Sequence, residues 1–187
     1  LRCKMKVAEY LVDGFEQIEA MAPIDLLRRA EIEVDIVSVF NVSNVKSSHN
    51  VTIETEKNIN DINLDDYDMI ILPGGPGTVK YKESKFLLDS LIRYNKNKGK
   101  YIAAICAAPS ILAHLGILNG KNAACFPSVE SELIEGGAIL SKSKVVVDGN
   151  IITSRGAGTA IDFSLKLIEI LKGSVEAEKI SDMIVYK

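Results

Sequence analysis

Short apolar runs alternate with amphipathic stretches along most of this 187-residue chain, and that alternation limits the fold more than any other feature. Met5 to Val12, Val34 to Phe40, Asp68 to Pro73 and Tyr101 to Ala107 are predominantly apolar and of strand length. Strands of that kind are buried on both faces, which calls for a mostly parallel sheet covered by helices on each side. Phe15 to Ala30, Glu83 to Lys98, Pro109 to Gly116, Ala157 to Leu171 and Val175 to Ile184 carry helical patterns. Val51-Thr-Ile-Glu-Thr55 reads as a hairpin arm. Lys144 to Thr153 reads as a hairpin with Asp148-Gly149 between its β runs. The predicted class is α/β, a doubly wound and mostly parallel sheet in one domain spanning residues 1–187.

Two residues conflict with this pattern. Glu9 falls inside the first strand, where a buried sheet favours an apolar side chain. It is expected to be paired, to lie near a sheet margin, or to mark a different strand boundary. Pro23 falls inside the first helix, where proline costs about 3 kcal/mol. A kink is expected there, with the kinked face a candidate subunit contact.

A formal net charge of −3 gives no electrostatic footprint for nucleic acid. No apolar run approaches the ~20 residues of a membrane span, and no secretory leader opens the chain. Cys3, Cys106 and Cys125 make no disulfide framework and have no zinc-site spacing. A reducing cytoplasm is the expected compartment, with no metal and no cofactor. Leu1 to Lys4, ahead of Met5, is set aside as an extraneous remnant or a mis-assigned start.

Within that frame, the chain from Lys100 to Pro109 places one cysteine where a buried strand must turn at once into a helix. No Gly, Asn or Asp is available to absorb the turn, so Cys106 is expected to sit in a strained conformation. Unpaired N–H groups and the positive helix end favour thiolate, and the thiol pKa is expected well below that of a free cysteine. A small buried thiol is also common packing. What favours chemistry is convergence with two further strand ends, since open α/β sheets bind ligands beyond the carboxyl ends of their strands. The first strand ends at Asp13-Gly14 and feeds a helix carrying Glu16 and Glu19, one of which is expected to point inward. The Asp68–Pro73 strand ends in Gly74-Gly75-Pro76-Gly77, whose bare N–H groups suit a small anion or oxyanion. Acidic first turns and glycine clusters are also common for purely structural reasons.

Asp13-Gly-Phe-Glu-Gln-Ile-Glu19, Pro23-Ile-Asp-Leu-Leu-Arg-Arg-Ala30, Leu72-Pro-Gly-Gly75, Ala103-Ala-Ile-Cys-Ala-Ala-Pro109 and Thr153-Ser-Arg-Gly-Ala-Gly-Thr159 occur in order. Together they resemble the ThiJ/PfpI superfamily, and specifically its DJ-type branch, over nearly the whole chain from Met5. That resemblance implies a flavodoxin-like sandwich related to class I glutamine amidotransferases, usually a homodimer. The reactive cysteine of the family falls on Cys106, and the acid that hydrogen-bonds it falls on Glu19. The backbone oxyanion donors fall on Gly75 and Ala107. Gly74, Phe126, Arg155, Gly156 and Ala157 would line the pocket, with Arg29 approaching from the partner subunit.

The same resemblance implies an enzyme acting on a small aldehyde or dicarbonyl such as methylglyoxal, or on early glycation adducts, without glutathione. The alternative it implies is an oxidative-stress sensor or redox chaperone, in which Cys106 is oxidised to sulfinic acid. In the protease-like branch a histidine follows the nucleophile; here that residue is Ala107, which argues against a Cys–His protease or an amidotransferase. His114 lies eight residues beyond Cys106, about 12 Å of helical rise. His49 lies in a turn-rich segment at a place that is basic in relatives, and is expected to face solvent. Phe126 takes a strand end that carries a histidine in some members. Cys125 is expected to be buried packing.

Overall fold

A computed structural model describes residues 4–186. Leu1 to Cys3 lie outside the described residues, and with them the reading of Cys3 and most of the segment set aside ahead of Met5. The chain opens with β1 (Lys6–Leu11), α1 (Gln17–Arg29) and β2 (Glu33–Ser38). A small hairpin of β3 (Asn44–Lys46) and β4 (Thr52–Glu54) follows, then β5 (Lys57–Asn58) and β6 (Met69–Leu72). Next come α2 (Lys85–Asn95), β7 (Tyr101–Ile105), α3 (Pro109–His114), β8 (Asn122–Ala123), α4 (Glu130–Glu135) and β9 (Ile139–Leu140). The hairpin β10 (Val145–Asp148) and β11 (Ile151–Ser154) leads into α5 (Ala160–Lys172) and α6 (Ser174–Met183).

Among these residues, seven strands form one sheet in the order β10-β11-β7-β6-β1-β2-β5. Every pairing is parallel except that of the edge strand β10 with β11. The hairpin closes one residue later than expected: Asp148 still pairs with Ile151, and Gly149 (φ +62°) takes the turn with Asn150.

Side chains of β1 alternate between two cores, as the two-residue period of a strand requires. Ala8, Tyr10 and Val12 join Leu87, Leu91, Ile111 and Leu133 from α2, α3 and α4. Val7 and Leu11 join Ile24, Leu27, Phe163, Leu167 and Ile180 from α1, α5 and α6. Helices on both faces account for the near absence of polar residues in the central strands.

The conflict at Glu9 resolves differently from expectation. Glu9 lies mid-sheet, opposite Ile36 and Ile71, wholly buried and, among the described residues, with no hydrogen-bond partner on either oxygen. Burial pushes its carboxyl well above the ordinary range, so it is held neutral. The helix is continuous through Pro23, whose ring is buried.

Candidate active site

β1, β6, β7 and β11 run parallel and end on the same edge of the sheet. At the end of β7, Cys106 adopts φ +66°, the left-handed region that disfavours a residue with a β-carbon. Conformations of that kind cost roughly 1–3 kcal/mol and persist only when their surroundings hold them. Here the Cys106 N–H donates to the Ser154 carbonyl (3.0 Å), and its carbonyl accepts from the Phe126 N–H (2.8 Å). The strain expected at this corner is present.

Glu19 stands in the first turn of α1, whose start is capped by Glu16: the Glu16 carboxylate accepts from the Glu19 N–H at 2.9 Å. The Glu19 side chain turns inward and is 1% exposed. Its Oε2 accepts from the Gly74 N–H at 3.0 Å, and the carboxyl also hydrogen-bonds the Cys106 thiol and the Ala157 N–H. Strand ends β1, β6, β7 and β11 thus meet on one carboxyl group.

Gly74-Gly75-Pro76-Gly77 does more than turn the chain. The Glu16 N–H donates to the Gly74 carbonyl and the Gly77 N–H to the Gly14 carbonyl, both at 2.9 Å, so the two loops are laced backbone to backbone. A β-carbon on Gly75 (φ +99°) would stand 2.5 Å from the Glu16 nitrogen. Tyr81 reinforces the joint: its hydroxyl lies 3.0 Å from the carbonyls of both Tyr10 and Pro73.

The thiol is not held ionised in the way the sequence suggests. Burial, followed by the Glu19 charge and hydrogen bond, pushes Cys106 up to about 12, against the N–H groups of Gly75 and Ala107, which pull it down. Burial also raises Glu19 to about 7; the Cys106 hydrogen bond opposes that rise and the Glu16 charge adds to it. The two groups titrate as a pair, giving up one proton near 7 and the second near 12. Between about 7 and about 12 they hold one proton and one negative charge between oxygen and sulfur. Glu19 is then a stronger base than an ordinary carboxylate and can take the thiol proton as sulfur attacks.

Cys106 opens onto a cavity of about 480 Å³ lined by Glu16, Glu19, Ser48, His49, Gly75, Pro76, Ala107, Phe126, Ser128 and Ala157. Phe126, Gly75, Ala107 and Ala157 are therefore where expected. Gly74 and Gly156 stand behind the wall, Gly74 against Glu19 and Cys106, Gly156 against Phe126 and Glu19. Arg155 does not line it, because its guanidinium turns to Glu130 (3.4 Å). Arg29 lies away from the cavity of its own chain, pairing with Asp25 (2.8 Å) at the far end of α1, about 15 Å of rise from Glu19; the expected approach was to a partner's cavity. His49 is exposed as expected, yet it lines the cavity, which the sequence reading missed. His114 is held by Glu132 at 2.9 Å, outside the cavity. Cys125 is fully buried, consistent with packing. A groove of about 520 Å³ beside α5 and α6 is lined by ion-paired groups such as Lys144 and Asp162, with Ser174 and Ser181.

The sheet and this corner define a class: flavodoxin-like α/β proteins with a cysteine at a strand–helix bend backed by a buried acid. The profile of the DJ-1/PfpI family matches residues 5–170, and the chain belongs to that family. It is 36% identical to Protein dj-1beta of Drosophila melanogaster over 171 residues, 91% of each chain. It is 33% identical to glutathione-independent glyoxalase DJR-1.2 of Caenorhabditis elegans over 158 residues, 84% of this chain and 83% of that one. The structure of oxidized Toxoplasma gondii DJ-1 superposes with a TM-score of 0.90 at 36% identity, covering 97% of this chain and 98% of the other.

Proposed function

We propose that this protein is a cysteine-dependent, glutathione-independent glyoxalase-type enzyme, with small dicarbonyls such as methylglyoxal or early glycation adducts as substrates. The observation that carries this reading is the Glu19–Cys106 hydrogen bond at the floor of an open cavity, with the N–H groups of Gly75 and Ala107 directed at the same sulfur. The glyoxalase name of the nematode relative supports it. Cys106 sulfur adds to the aldehyde carbon as Glu19 takes the thiol proton and passes it to the carbonyl oxygen, which becomes the hydroxyl of a hemithioacetal and leaves Glu19 a carboxylate again. Glu19 then removes the proton from that carbon and returns one to its neighbour, converting the adduct through an enediol into a lactoyl thioester. Water releases lactate and the thiol. A homodimer in the cytoplasm suits this reading, and in a dimer Arg29 of one copy would approach the cavity of the other.

The test is methylglyoxal consumption by the parent and by Cys106→Ser. Turnover by the parent and none by the variant is expected; turnover surviving in the variant, or absent from the parent, rejects the reading.

A second reading is oxidation sensing, favoured by the oxidized Toxoplasma relative and by the raised Glu19 carboxyl, which as an acid can donate to a sulfinate on Cys106. Mass spectrometry of Cys106 after limited peroxide separates the two: two added oxygens with negligible dicarbonyl turnover favour sensing.

A further inference from the structure

The lactoyl thioester must be hydrolysed, and Glu19, committed to the sulfur and to the Gly74 and Ala157 N–H groups, has little freedom to activate a separate water. Ala107 and Phe126, which line the cavity beside Cys106, carry no group that could take a proton. We propose that His49, delivered by the turn between β3 and β4, is the base that activates the hydrolytic water. This rests on the glyoxalase-type reading and assigns its last step.

Three observations support the assignment. First, His49 lines the same cavity as Cys106, whereas the chain's other histidine, His114, is tied to Glu132 and does not. Second, the turn that carries it is built firmly onto the site. The Ser48 N–H donates to the Phe15 carbonyl (2.9 Å), and the Ser47 hydroxyl donates to Gln17 Oε1 (2.6 Å). The same hydroxyl oxygen accepts the N–H groups of His49 (3.3 Å) and Val51 (3.0 Å), and Asn50 closes the turn at φ +67°. The Gly14 N–H, donating to the Lys46 carbonyl, and the Lys46 N–H, donating to the Asp13 carboxylate, anchor the strand before it. Third, the ring is oriented: Nδ1 lies 3.1 Å from the Ser48 hydroxyl. With Nδ1–H donating to that oxygen, Nε2 keeps its lone pair and has no partner among the described residues. Glu16 is the other basic group on the wall, but its carboxylate caps α1 at the Glu19 N–H.

Water oxygen bonds to the thioester carbonyl carbon while its proton passes to His49 Nε2, and the carbonyl π pair moves onto oxygen. Return of that pair expels the Cys106 sulfur, which takes the proton back from the imidazolium. A 2-hydroxy acid leaves, releasing one proton to solvent at neutral pH.

The experiment incubates parent, His49→Ala and His49→Gln with methylglyoxal, then measures lactate, intact mass and hydroxylamine-labile adduct at Cys106. Both variants are expected to consume the first equivalent at the parental rate. They should then accumulate a hydroxylamine-labile adduct and release lactate about a hundredfold more slowly. Parental lactate release without accumulation, or slowed first addition with no thioester, overturns the assignment and leaves the glyoxalase reading standing. A parent that forms neither adduct nor lactate overturns both.

Discussion

Gly74 packs so tightly on Cys106 that a β-carbon on the glycine would stand 2.7 Å from the cysteine β-carbon and 2.8 Å from Glu19 Oε2. Its absent side chain is what allows acid and thiol to meet. Gly74→Ala should therefore part them, costing roughly 1–3 kcal/mol of stability through overpacking. It should also slow Cys106 alkylation at neutral pH. Chemical denaturation together with an iodoacetamide rate checks both effects; an unchanged rate would show that the contact does not position the pair.

The left-handed Cys106 backbone separates conformational strain from chemistry. Cys106→Ala keeps the β-carbon and the strain, whereas Cys106→Gly removes both. Unfolding in urea should find the glycine variant more stable than the alanine variant by about 1 kcal/mol, the left-handed penalty less the greater freedom of glycine in the unfolded chain. An alanine variant as stable or more so would mean the corner is relaxed.

Glu9 gives a pH signature unrelated to the site. Its folded pKa lies above its unfolded value of 4.5, so the contribution of this group is fully present below 4.5. It is lost as pH rises, because the unfolded chain ionises while the buried carboxyl holds its proton. Glu19 acts in the same direction up to about 7, so the comparison must be with a variant. Glu9→Leu should be more stable than the parent at pH 7, by about 2 kcal/mol or more, and less sensitive to pH above 4.5. Parallel stability curves for the two proteins would show that Glu9 has a partner or reaches water.

Much of the fold was legible because its signals are local. Buried strands show as apolar runs, helices as periodic faces, and the Cys106 bend as a strand meeting a helix with no turn residue between. That one of Glu16 and Glu19 turns inward was legible from the helix face they share with Phe15; that it is Glu19 came only from the family resemblance, and Ile18 faces outward. Sheet order was not legible, since pairing joins β1 to β6 across some sixty residues that no periodicity spans. Short elements such as β5, β8 and α4 have too few residues to show a period. His49 is exposed as read, but its place on the cavity wall was not legible, because it depends on the β3–β4 hairpin docking through the Ser48 N–H onto the Phe15 carbonyl. Arg155 was misjudged because its neighbour Glu130 comes from α4, an element the sequence pattern did not reveal. The thiol pKa was misjudged because desolvation is a sum over the whole surrounding shell, while the N–H donors that oppose it are visible in the motif itself.

The pH profile of Cys106 alkylation, in the parent and in Glu19→Gln, tests most directly whether oxygen and sulfur share one proton. The parent rate should rise through an inflection near 7 and then level, and Glu19→Gln should lack that inflection and gain reactivity only at alkaline pH. The same inflection in both proteins, or a parent profile flat through neutrality, would contradict it.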